Sequence, residues 1–113
     1  MSRLSSVLRS SDDGHGGQRL TFLCPGCDDY HSIAIGSGPG PRWDYNGNPE
    51  KPTFTPSVKV TYPANPDADD DFKEWRTERV CHSFVRDGRI QFLGDCTHAL
   101  AGQTVDLPEW GAE

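Results

Sequence analysis

Cys24-Pro25-Gly26-Cys27 constrains this chain more than any other stretch. Two cysteines two residues apart, with Pro and Gly between them, make a tight knuckle that aims both sulfurs at one point. Pro25 holds its own φ, and Gly26 is free to take the positive φ that turns backbone N–H groups toward thiolates. A Zn²⁺ ion takes four such ligands in a tetrahedron, with sulfur at about 2.3 Å. The other two cysteines, Cys81 and Cys96, stand far downstream. If all four meet at one metal, the ion ties an N-terminal hairpin to the C-terminal third. The expected cofactor is therefore Zn²⁺ on Cys24, Cys27, Cys81 and Cys96.

Such a staple suits the composition. At 113 residues, with 34% hydrophobic residues, 12 Gly and 9 Pro, the chain reads as one zinc-stabilised domain over 1–113 with a thin core. A net charge of −6 and a pI near 5.0 argue against nucleic acid as a partner. The first nine residues hold no apolar core of the kind a signal peptide has, and no stretch approaches a membrane span. The chain reads as cytoplasmic, where clustered cysteines bind metal more often than they form disulfides.

The pattern along the chain is mostly β. Residues 4–8 alternate like an edge strand, and Asp12-Asp13-Gly14-His15-Gly16-Gly17 reads as a turn with His15 exposed. Residues 19–23 run straight into the knuckle and residues 31–35 run out of it, the layout of half a zinc ribbon. The segment from Trp43 to Ser57 gathers aromatics, Asn-Gly and Thr-Pro turns, and is a candidate rim for a pocket. Residues 52–57 read as an extended edge leading into a strand at 58–62. Residues 63–79 read as an acidic surface loop, with one helical turn at 72–76. Asp87-Gly88 marks a two-residue hairpin turn that pairs Val85 with Ile90, Ser83 with Phe92 and Cys81 with Gly94. That register brings Cys81 beside the stretch carrying Cys96. Asp95 then caps a short helix over 96–101, before a last strand at 104–107. The fold class expected is α+β, mostly β: a small zinc-ribbon-like domain of antiparallel hairpins with one short C-terminal helix.

Three histidines crowd the same elements. His31, His82 and His98 are alternates for the fourth metal position. Adjacent strand residues face opposite ways, so Cys81 and His82 do not suit one ion. The bland reading is that these histidines orient the ligands. The sharper one sets His82, His98 and Asp95 around an open metal as acid and base, with Ser83 and Thr97 near. Against an enzyme, the chain has no HExxH helix, no deaminase H-x-E before the CxxC, no GxSxG elbow and no Walker loop.

The chain resembles a family of short phage and bacterial zinc-binding proteins of unknown function, whose members are often labelled ammonia monooxygenase. The resemblance rests on Cys24-Pro25-Gly26-Cys27 with His31, Trp43-Asp44-Tyr45-Asn46-Gly47, Pro52-Thr53-Phe54-Thr55-Pro56-Ser57 and Cys81-His82-Ser83-Phe84, closing with 87–93 and 95–102. Oxygenase chemistry calls for a His-rich copper site and membrane subunits, which these residues do not offer. Relatives of the family lie near bacterial ubiquitin-like conjugation genes, which implies defence or counter-defence. The expectation is a small zinc-binding phage or prophage accessory protein that works by binding a host macromolecule, with a host or phage protein as partner, in the host cytoplasm. The alternative is a small metal-dependent hydrolase, peptidase- or amidase-like, using His82, His98 and Asp95.

Overall fold

The structure is a computed structural model and describes residues 2–12, 14, 16–27, 29–36 and 38–110; His15 and Asp13 of the expected N-terminal turn lie outside the described residues. Among the described residues, nine strands form two antiparallel sheets, each with its strands in chain order. The first holds β1 (Ser2–Arg3), β2 (Arg9–Asp12), β3 (Gln18–Cys24) and β4 (Asp29–Ile35). The second holds β5 (Asp44–Tyr45), β6 (Phe54–Tyr62), β7 (Arg79–Arg86), β8 (Arg89–Phe92) and β9 (Thr104–Asp106). A parallel bridge from Ile35 to Trp43 joins them, with the Trp43 N–H on the Ala34 carbonyl at 2.9 Å.

Period-two alternation decides which side chains go inward. Leu20, Phe22 and Cys24 of β3, His31 and Ile33 of β4, and Cys81, Ser83 and Val85 of β7 are all buried. Phe22 stacks on Phe54 of the other sheet at 6.1 Å between centroids, so the two inner faces share one core. Phe22, Phe54 and Phe92 are fully enclosed, and burying each such side chain is worth about 1.5–3 kcal/mol. The residues between the inward ones, His82 and Phe84 among them, face the other side of the second sheet and stay half-buried.

The knuckle joins β3 to β4 as the sequence predicts. At the β7–β8 hairpin, Asp87 (φ 51°) and Gly88 (φ 77°) both take the left-handed conformation that a two-residue turn demands. Val85 pairs with Ile90 and Ser83 with Phe92. The register stops short of Cys81 and Gly94: the Leu93 N–H still bonds the His82 carbonyl (2.9 Å), but the His82 N–H turns to Cys96 Sγ (3.2 Å) and β8 ends at Phe92.

Two expected elements do not form. Residues 4–7 make a turn rather than an edge strand: the Leu4 and Ser5 N–H groups reach the Leu8 carbonyl, and Ser5 Oγ accepts from the Val7 and Leu8 N–H groups. The helix expected over 96–101 is a run of bends and turns. Cys96 and Thr97 place their side chains on the backbone of β7, and a six-residue segment has too few helical bonds to compete with that. A 3₁₀ helix, Asp70–Arg76, occupies the acidic segment and leaves Phe72 and Trp75 exposed, their rings tilted against each other at 4.8 Å.

Candidate active site and metal centre

β7 carries two kinds of chemistry on its two faces. Cys81 points inward and His82 outward, as adjacent strand residues must. On the inner side, the sulfurs of Cys24 and Cys81 stand 3.7 Å apart. Cys24, Cys27, His31 and Cys81 form a group whose donor atoms all lie within 4.8 Å of one another. His31 Nε2 is buried without a hydrogen-bond partner among the described residues. Three sulfurs and an orphaned imidazole nitrogen fit a tetrahedral metal ion, so the group can hold one. All four cysteines are free thiols.

The protons are already unequally shared. Hydrogen bonds from Cys27 and Cys81 hold the Cys24 thiol down to about 3, against the opposing effect of burial. Its interaction with Cys24 and then Cys27, reinforced by burial, pushes the Cys81 thiol up. Tyr62, raised chiefly by burial and then by the Cys27 charge, closes one side of the cluster.

Cys96 and His98 fall in a second grouping with Cys81, apart from Cys24 and Cys27. His98 accepts the Leu100 N–H at Nδ1 (3.2 Å), which leaves the proton of a neutral ring on Nε2. Its imidazole lies against the knuckle: a Cβ at Gly26 would overlap the ring. Gly26 is therefore needed for that close approach. Its φ is not positive, contrary to the conformational role the sequence suggests.

On the outer side of β7 a different constellation appears. His82 Nε2 lies 2.9 Å from Ser57 Oγ, and His82 Nδ1 lies 3.2 Å from Asp95 Oδ2. Ser57 comes from β6, where a bulge between Phe54 and Val58 shifts it out of the regular ladder. Its carbonyl accepts the Trp43 indole N–H at 3.1 Å. Asp95 comes from the loop after β8 and is exposed. Serine, imidazole and carboxylate are in line, with each hydrogen bond at its own ring nitrogen. Ser83, near His82 in sequence, is fully buried on the opposite face and cannot take part.

Of the three acid–base candidates the sequence offers, His82 and Asp95 meet here and His98 does not. The sequence gives Ser57 no chemical mark of its own, although the Trp43-to-Ser57 segment that carries it stands out as unusual. That segment does not line the 380 Å³ pocket, which is bounded by Gly26, Cys27, Tyr62, Arg79, Thr97 and His98 among others. The pocket opens beside the sulfur cluster and includes none of Ser57, His82 and Asp95.

Residues 2–93 match the family model of BubE, the bacterial ubiquitination-like system serine protease. The chain belongs to the BubE family. Ser57 and His82 lie inside the matched span, and Asp95 lies two residues beyond it. No curated protein and no solved structure matches. Membership in BubE corrects the expected function twice. A serine-protease family is at odds with a non-enzymatic host-binding protein. It is equally at odds with the alternative metal-dependent hydrolase, since a serine protease draws its nucleophile from a hydroxyl and not from metal-bound water. Among the described residues, no helix is long and apolar enough to cross a membrane.

Proposed function

We propose that this chain is a serine protease of a bacterial ubiquitination-like system, with Ser57 as nucleophile, His82 as general base and acid, and Asp95 as the residue that orients His82. The observation that carries this reading is the Ser57–His82–Asp95 array, at 2.9 and 3.2 Å. Its support is geometric and chemical. A neutral imidazole that donates Nδ1–H to Asp95 presents a lone pair at Nε2 toward Ser57 Oγ. As Oγ attacks the scissile carbonyl, Nε2 takes its proton and the Asp95 carboxylate stabilises the imidazolium. His82 then returns the proton to the leaving amine as the C–N bond breaks, leaving an acyl ester on Ser57. Water, deprotonated by the same nitrogen, hydrolyses that ester and frees the enzyme.

The sulfur cluster has a structural part in this reading. Zn²⁺ on Cys24, Cys27, Cys81 and His31 would tie the β3–β4 knuckle to β7, and it supplies folding energy rather than chemistry. Free thiols gathered in this way suit a reducing cytoplasm.

The test is covalent. A fluorophosphonate probe should label the wild-type protein once, at Ser57, and peptide mapping identifies the site. Ser57→Ala should remain folded and take no label. Equal labelling of Ser57→Ala would overturn the assignment.

A further inference from the structure

β8 ends at Phe92, which leaves the edge of β7 from Val80 to His82 without a strand partner on that side. The loop from Leu93 to Thr97 completes the edge, largely with side chains. Thr97 accepts the Val80 N–H at Oγ1 (3.0 Å) and donates its own N–H to the Val80 carbonyl (3.0 Å). Cys96 Sγ accepts the His82 N–H at 3.2 Å and donates S–H to the His82 carbonyl, also at 3.2 Å. The Leu93 N–H shares that carbonyl. A single thiol thus holds both backbone groups of His82, and the residue before it, Asp95, holds the ring of the same histidine.

We infer that Cys96 is a positioning residue of the protease site: its thiol locks the 93–97 loop to the His82 backbone and so sets the Asp95 carboxylate against His82 Nδ1. This inference rests on the triad reading above. Asp95 is exposed and has no rigid element under it, so its place depends on the neighbours that anchor the loop. Cys96 is the buried one of these, at 9% exposure, and it is adjacent in sequence. Cys81, Cys96 and His98 also form a group whose donor atoms all lie within 4.8 Å of one another, so zinc content is read beside the rate in every Cys96 variant.

The experiment uses the full chain in its metal-loaded form. It follows hydrolysis of p-nitrophenyl acetate, fluorophosphonate labelling, and zinc content for Cys96→Ala, Cys96→Ser, Asp95→Ala and the double variant Cys96→Ala/Asp95→Ala. A misplacement of about 1 Å costs about 10²-fold, so Cys96→Ala should lose about that much in kcat, with KM and zinc content unchanged. Cys96→Ser, which retains donor and acceptor, should recover most of the loss. In the Asp95→Ala background the cysteine substitution should cost nothing further, because the residue it positions is gone. Wild-type rates in Cys96→Ala, additive losses in the double variant, or loss of a zinc equivalent would each overturn the inference. If Cys96→Ala does not fold, hydrogen exchange on the wild type decides the matter: the His82 amide should be protected, and exchange at the unfolded-chain rate would overturn the thiol bond. Ser57→Ala run alongside separates the two claims. An active Ser57→Ala sinks the triad, whereas an inactive one beside a fully active Cys96→Ala sinks the role of Cys96 alone.

Discussion

Single residues here act through close distances. In the proposed triad, Asp95 selects the His82 tautomer that leaves Nε2 free to accept the Ser57 proton. Asp95→Asn preserves shape but offers Nδ1 the wrong partner, and kcat should fall by about 10⁴-fold with the fold unchanged, measured by ester hydrolysis beside a thermal melt. Near-wild-type turnover would show that Asp95 does not orient the base. Gly26 matters for space alone. A methyl group there must displace the His98 ring, so Gly26→Ala should lower stability by about 1–3 kcal/mol in a chemical-denaturation experiment. His98→Ala should remove most of that penalty in the double variant, since the three atoms nearest the added methyl all belong to that ring.

At the scale of elements, β7 is the part that links the two sites. Its pleat sends Cys81 into the sulfur cluster and His82 toward Ser57, so neither can move without the other. The β7–β8 turn holds this strand in register. Gly88 sits at φ 77°, and a Cβ there would also lie 3.1 Å from the Lys51 Cα. Gly88→Ala should cost about 1–2 kcal/mol for the left-handed backbone alone. A melting temperature equal to that of the wild type would refute this account of the turn. The turn was readable from Asp87-Gly88, because a two-residue hairpin needs positive φ and few residues tolerate it. The helix expected at 96–101 failed for the opposite reason: its first two side chains found better partners on a distant strand than its own backbone offered.

At the scale of the whole molecule, the cluster joins β3, β4 and β7, and so bridges the two sheets. Removing the ion with a strong chelator should lower the melting temperature and abolish fluorophosphonate labelling over the same range, because the strand that carries His82 loses its tether. Unchanged stability after complete metal loss would refute the structural role. Binding should also depend on pH in a definite sense. Cys24 is held at about 3 and already ionised at neutrality, whereas Cys81 is pushed up and keeps its proton until a cation displaces it. Affinity should therefore rise with pH across the neutral range, by about tenfold per unit for each proton displaced, as a competition titration would measure. A flat profile would mean that the ligands are already deprotonated.

What the sequence determined by itself was local: strands from period-two alternation, turns from Asp-Gly and Asn-Gly, a knuckle from two cysteines set two apart. Each of those signals is complete within a few residues, because backbone preference and ligand spacing act over that range. His82 and Asp95 were legible as chemistry, but only as candidates around a metal. What the tertiary structure alone decided was the hydroxyl that meets them, Ser57 Oγ at His82 Nε2. Ser57 stands 25 residues before His82, and Asp95 stands 13 after it. Their meeting depends on the β6 bulge, on the register of β7, and on a loop that binds β7 where β8 has stopped. None of these three residue types is rare, and no spacing marks them in one dimension. The same physics placed His31 beside Cys24, Cys27 and Cys81: the side of a strand on which a residue falls is set by pairing with neighbours far away in the chain.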